Sequence, residues 1–296
     1  MIVVAGAGGF IGRALCTELE RRGHRITRVG RSVTADVRWP PPGEEFSEAA
    51  VRVFAGARAV VSLVGEPISA RWSAARKRAI RDSRVGRTGA LARALARADE
   101  RPPVFVSGSA VGIYGDRGDE WLDESSPFGT GFLADVARDW EAATTPARDA
   151  GVRVVLLRSG VVLGRGGGML SRLALPFRLG GGATLGSGRQ WLSWVSLDDA
   201  IRVIIRAMDD AAIRGPVNVV SPMPVRNAEF TAALARALRR PAWFAIPASV
   251  LRLVFGEMAD GVLLASQRAR PAVLERHGFV FDHPSIDAAL RAVFPP

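Results

Sequence analysis

The chain has 296 residues, enough for one large α/β domain or one such domain with a smaller cap. Hydrophobic residues are 48% and charged residues 23%, the balance of a globular protein with a full core; the longest apolar runs, 59–65 and 152–157, are strand-length and too short to span a bilayer. The net charge of +11 is spread over Arg21-Arg22, Arg76-Lys77-Arg78, Arg239-Arg240 and Arg268 without interleaved aromatics, so it reads as an arginine-rich proteome plus an anionic cofactor rather than a nucleic-acid surface.

Cys16 is alone, which excludes a disulfide and a thiolate metal site, and His24, His277 and His283 lack metal-ligand spacing. The first strand is expected to begin at once, which leads to the expectation of no targeting segment ahead of it. The expectations are a cytoplasmic protein, monomer or homodimer, with a small-molecule substrate and with neither nucleic acid nor membrane as partner.

In chain order, residues 2–5 read as a strand, 10–22 as an amphipathic helix and 25–30 as a second strand. A short strand near Val37 follows, then a strand at 59–64 and a long basic helix over 72–98. A strand at 103–107, a helix at 131–150 and a strand at 153–158 complete the alternation, which predicts a Rossmann-type, doubly wound parallel sheet. After Arg158 the texture changes. Glycine-rich loops occupy 164–168 and 180–188, residues 191–195 suit a strand, and Asp198-Asp199 suits a cap for a helix over 200–208. From Pro222 the chain is mainly helical. The predicted division is a cofactor-binding domain at 1–162 and a smaller substrate lobe at 163–296, with 191–219 returning to the first domain.

Gly6-x-x-Gly9-x-x-Gly12 follows the first strand and opens the first helix, the context that makes this pattern a dinucleotide fingerprint. Gly6 permits the turn, Gly9 lets the backbone approach a pyrophosphate, and Gly12 lets the helix pack on the sheet. Phe10 and Ile11 lie inside the same motif. The second strand ends Val29-Gly30-Arg31-Ser32, with no carboxylate before Asp36. An NAD site usually has an acid there for the ribose hydroxyls, whereas a guanidinium and a hydroxyl suit a 2′-phosphate, so NADP(H) is expected, held by Arg31 and Ser32. Arg31 stacked on adenine or facing solvent is the alternative.

Further segments carry a resemblance. They include Leu63-Val64-Gly65-Glu66-Pro67, Arg71-Trp72, Ser107-Gly108-Ser109-Ala110, Gly112-Ile113-Tyr114-Gly115-Asp116, Trp140-Glu141, Gly186-Ser187-Gly188-Arg189-Gln190 and Gln267-Arg268. Together with the fingerprint they are similar to the extended short-chain dehydrogenase/reductase superfamily. Within it they resemble the atypical branch labelled NAD-dependent epimerase/dehydratase, with its characteristic C-terminal region. Some members are labelled cell-division inhibitor homologues, and a plant relative is linked to plastid division.

The resemblance implies cofactor contacts at Leu63, Gly65, Glu66 and Ser107, and a hydrogen bond from Ser109 to the substrate oxygen. The superfamily's Tyr-x-x-x-Lys pair is missing: its tyrosine position falls at Leu133, or Phe132 in a shifted register, and its lysine position at Ala137. The chain has one tyrosine, Tyr114, and one lysine, Lys77. Tyr114 therefore stands as a substitute proton donor or as a packed loop aromatic. Arg84 replaces an asparagine of the proton relay and faces an anionic substrate, the cofactor or solvent. Leu192 stands where nucleotide-sugar relatives have a pyrophosphate-gripping arginine. Arg189, Gln190 and Trp194 beside it imply a small or apolar carbonyl or hydroxyl substrate, unless the tryptophans are core. Two readings stay open: an NADP-dependent, epimerase-like oxidoreductase, or a catalytically silent cofactor-binding regulatory or scaffold protein.

Overall fold

Ile2, Val3, Val4 and Ala5 are all buried, and an unbroken apolar run of this kind belongs in the middle of a parallel sheet covered on both faces. The computed structural model, which describes residues 1–295, places it there. The sheet is built from β1 (Ile2–Ala5), β2 (Ile26–Gly30), β3 (Val37–Arg38), β4 (Ala59–Ser62), β5 (Val104–Ala110), β6 (Arg153–Ser159) and β7 (Gly215–Val219). All pairings are parallel, in the order β7-β6-β5-β4-β1-β2-β3. This is the doubly wound, Rossmann-like order with one added edge strand. It puts a crevice at the carboxyl ends of β1 and β4, where the order reverses.

Alternation along β1 divides the core. Ile2 and Val4 pack with Leu15, Leu19 and Ile204 on one face, whereas Val3 and Ala5 pack with Phe54, Leu91 and Leu95 on the other. Each of these side chains other than Ala5 contributes about 1.5–3 kcal/mol on full burial. A third cluster, with Leu170, Phe177, Trp194, Phe230 and Leu290, holds the C-terminal helices Asn227–Leu238 and Ile286–Val293 against the helix Gly168–Arg178.

Four local expectations change. The long basic helix is two, Ala74–Asp82 and Val85–Arg97, the first capped by Ser73. At the break, Ser83 Oγ donates to Ile80 O and accepts from the Glu66 amide at 3.0 Å, so the kink is fastened to the loop after β4. The helix expected over 131–150 ends at Ala142 and resumes as Thr145–Asp149, with Pro146 in its first turn, where a missing N–H costs nothing. Residues 191–195 form two short strands, Trp191–Leu192 and Trp194–Ser196, pairing with different partners. Ser193 between them donates to Gln267 O at 2.7 Å and accepts from the Ala269 amide at 2.9 Å. The next helix runs Leu197–Asp209 and is capped by Ser196 Oγ rather than by Asp198 or Asp199. Asp199 is fully buried and instead accepts the Asp282 and His283 amides, tying the C-terminal segment to this helix.

Candidate functional site

The crevice begins at the fingerprint turn. Gly6 has φ +84°, and a Cβ there would lie 2.8 Å from the Leu63 carbonyl, so only glycine allows the turn to lie against the end of β4. A Cβ on Gly12 would lie 2.1 Å from Gly6 O, which is why the helix Phe10–Arg21 can approach so closely. That helix starts at Gly9 with no capping side chain and no acid in its first turn. Its free N–H groups and positive dipole end therefore face the crevice, the arrangement that binds a phosphate. Ile11 packs on the core below. The Phe10 ring lies against Gly164, Gly167 and Gly168; at Gly167 a Cβ would come within 2.4 Å of it.

Arginines gather further along. Arg31, 69% exposed, pairs with Glu66 at 3.1 Å, and Ser32 Oγ bonds Thr34 Oγ1 at 2.8 Å. Arg87 lies over the Trp39 ring; burial lowers its pKa, the Arg31 charge lowers it further, and Glu66 opposes both. Arg84 is folded back beside Gly65, where a Cβ would meet its guanidinium at 3.0 Å. Burial pulls its pKa down to about 10 against the attraction of Glu66. Crowded, desolvated guanidinium groups lose free energy that an anion between them would restore. With the open helix end, this donor set suits a dinucleotide carrying an additional phosphate.

Trp140 packs between β5 and the helix Val85–Arg97. Its ring covers Gly108, where a Cβ would lie 2.9 Å away, and its Nε1 donates to Thr88 Oγ1 at 2.8 Å. The Arg84 guanidinium sits 5.4 Å over the same ring. Ser107 is fully buried, its hydroxyl donating to Gly108 O at 3.3 Å.

Beyond Trp140, β5 continues to Ala110 and carries Ser109 to its end. Ser109 Oγ donates to Glu141 Oε1 at 2.7 Å. Arg158, near the end of β6, grips the same carboxylate with two bonds, Nε to Oε1 at 2.8 Å and Nη2 to Oε2 at 2.9 Å. Both partners are buried. Burial works against the Arg158 charge, but the hydrogen bonds and charge of Glu141 outweigh it and hold its pKa above the ordinary arginine value. Arg158 Nη1 also donates to Tyr114 OH at 3.1 Å, and Tyr114 OH donates to Asn218 Oδ1 at 2.7 Å. One buried chain of hydrogen bonds thus runs Ser109–Glu141–Arg158–Tyr114–Asn218.

This network favours the second of the two roles open for Tyr114, the packed aromatic. It is fully buried, packed with Ile113, Leu122 and Ala137, and its hydroxyl is committed in both directions. Burial raises its pKa to about 12, the Arg158 charge notwithstanding. Lys77 does not join it; its ammonium pairs with Glu257 and lies 5.0 Å over the Phe132 ring. Two other candidates are also corrected. Trp194 is fully buried in the C-terminal core, with Nε1 donating to Met223 O at 2.9 Å. Gln190 spends its amide hydrogens on Leu185 O and Leu263 O, at 3.1 and 3.0 Å, and so staples two loops. Arg189 is exposed.

Among protein families, the model of the NAD dependent epimerase/dehydratase family matches residues 2–220. The chain belongs to this family. A second model, a domain of unknown function (DUF1731), matches residues 246–293. An epimerase family protein of Mycobacterium tuberculosis is 45% identical over 98% of this chain and 96% of its own length. Human epimerase family protein SDR39U1 is 35% identical, covering 99% of both chains. A crystal structure of human SDR39U1 with NADPH superposes with a TM-score of 0.90 at 33% identity, over 99% of this chain and 98% of that one. UDP-N-acetylglucosamine 4-epimerase from Bacillus cereus shares the fold, with a TM-score of 0.74 at 18% identity.

Leu133 lies beside Gly112, and Ala137 is buried. Sequence reasoning missed Arg87, Glu141, Arg158 and Asn218. One signal was available for Arg158: a charged residue inside the apolar run of β6 needs a buried counter-charge.

Proposed function

We propose that the chain binds NADP(H) and interconverts a small or apolar alcohol and its carbonyl compound, using Ser109 and Glu141 where relatives use tyrosine and lysine. The observation that carries this reading is the Ser109–Glu141 hydrogen bond of 2.7 Å at the end of β5, backed by a bidentate arginine. The solved structure of SDR39U1 with NADPH supports the cofactor, as do Arg31, Ser32 and Arg87 at the end of the crevice. When bound, the nicotinamide accepts or donates the hydride.

Ser109 points its hydrogen at Glu141, so its oxygen lone pairs remain to accept the hydrogen of a substrate hydroxyl. In the oxidative direction the substrate's proton passes to Ser109 Oγ, whose own proton passes to Glu141 as the C–H hydride departs. Arg158 holds Glu141 by two hydrogen bonds and fixes its orientation. Glu141 also borders a cavity of about 910 Å³ lined by Arg138, Thr144 and Arg214, a route by which its proton reaches solvent. Positioned proton transfer contributes roughly 10²–10⁴-fold in rate.

Single-turnover oxidation of bound NADPH across a panel of small carbonyl compounds tests this. At least one should consume NADPH, and Ser109→Ala should slow that reaction by about 10²-fold or more. Tight NADPH binding with no consumption by any carbonyl would favour the second reading, a cofactor-bound protein without chemistry, for which Leu133 and Ala137 in place of the pair argue.

A further inference from the structure

Two stretches of the sequence contain no acid. Residues 150–197 include six arginines and residues 230–256 include four, with no aspartate or glutamate in either. The fold lays parts of the two side by side. Arg240 Nε donates to Arg178 O at 3.0 Å, and the strand Phe244–Ile246 pairs in parallel with Ala183–Leu185. Gly182 lies between Phe177 and Ala242, where a Cβ would come 2.8 Å from the Phe177 ring.

The outer side of this junction is apolar. Leu175, Leu179, Trp243 and Phe244 are exposed, Leu179 to 79% and Trp243 to 86%. Large side chains grouped in water in this way mark an interaction surface. Sharing Arg178 and the same helix is a cavity of about 560 Å³, lined by Arg165, Arg178 and Arg239 over Leu170, Ala174 and Leu238. Among the described residues no carboxylate lines it. Elsewhere surface arginines are neutralised, as in Arg81–Asp139, Arg138–Asp135 and Arg97–Glu48; within the second stretch Arg236 is paired with Asp287, whereas no ion pair forms at Arg165, Arg178 or Arg239 among the described residues.

We propose that this face docks on a bilayer containing anionic phospholipid, with a headgroup phosphate held by Arg165, Arg178 and Arg239. Leu175, Leu179, Trp243 and Phe244 enter the boundary between headgroups and acyl chains. The chemistry is that of an interfacial contact, an apolar tip flanked by arginines. A second copy of the chain would cover the apolar side chains only by bringing arginine-rich faces together. Free phosphate would fill the cavity and leave the apolar tip in water. Among the described residues no helix is long and apolar enough to cross a membrane. The sequence-based expectation of no membrane partner rested on the lack of a spanning run, and a surface-lying contact needs none. The proposal is independent of the reaction above.

Vesicle flotation of the full chain tests it, comparing phosphatidylcholine alone with phosphatidylcholine plus phosphatidylglycerol. The chain should float only with the anionic vesicles, and less so as salt rises. The double variant Leu179→Ser/Trp243→Ser and the double variant Arg178→Glu/Arg239→Glu should each bind about tenfold more weakly or worse, with unchanged circular dichroism and melting. Three results would overturn the proposal: no flotation with either vesicle, equal flotation with both, or a solution dimer that Leu179→Ser/Trp243→Ser converts to monomer.

Discussion

The two ends of the crevice are built on opposite principles. At the fingerprint end the donors are only partly satisfied: the helix start is uncapped, Arg31, Arg84 and Arg87 share a single nearby carboxylate, Glu66, and Arg84 spends one nitrogen on Ile80 O. At the Ser109 end the polar side chains, buried as they are, bond one another. The first arrangement waits for an anionic ligand to complete it. The second is complete beforehand and holds one serine oxygen in a fixed orientation. Binding is therefore spread over replaceable contacts, whereas the chemistry proposed for Ser109 would hang on a network in which each member holds the next.

That difference predicts unequal responses to mutation. Glu141→Ala strands the buried Arg158 charge and should cost about 3–5 kcal/mol of stability, read from the urea midpoint. A loss below about 1 kcal/mol would mean the network is not buried as described.

The raised pKa of Tyr114 gives an alkaline signature. A group whose pKa rises from its ordinary 10.0 to about 12 on folding stabilises the fold fully below pH 10, and that stability drains as pH climbs towards 12. Two units correspond to about 2–3 kcal/mol. Melting curves between pH 9 and 12 should show this loss, and Tyr114→Phe should remove its steepest part.

At the open end, Arg31→Ala and Arg87→Ala should each weaken NADPH binding by roughly 1.5–3 kcal/mol and leave NADH nearly unaffected, as measured by titration of cofactor fluorescence. Equal losses for both cofactors would remove the 2′-phosphate from the account. The smallest effect belongs to Glu66→Gln. The Arg31–Glu66 pair is largely solvated, so stability should shift by less than about 1 kcal/mol. NADPH should bind more tightly once the competing carboxylate is neutral.

The same contrast explains what the sequence could tell. The fingerprint end was legible because it is local: Gly6, Gly9 and Gly12 lie in one turn, and Arg31 follows the next strand directly. At the other end Ser109 and Tyr114 were singled out, but the network that joins them was not legible. Tyr114 meets Asn218 from 104 positions away, and Glu141 meets Arg158 across 17, contacts set by sheet order rather than by spacing. Trp194 and Gln190 sit in a segment that resembles a substrate loop, yet their partners Met223 and Leu263 lie far along the chain. The break at Ser83 likewise depends on a bond to Glu66, which no helical periodicity reveals.

The central claim is that Glu141, acting through Ser109, supplies the proton transfer that Tyr114 does not. The most direct measurement is the single-turnover rate of NADPH oxidation, with a carbonyl compound the wild-type chain reduces, for Glu141→Gln and Tyr114→Phe side by side. The account predicts that Glu141→Gln binds NADPH normally yet reacts about 10²-fold or more slowly, while Tyr114→Phe stays within a few-fold of wild type. A full rate for Glu141→Gln together with a collapsed rate for Tyr114→Phe would contradict it.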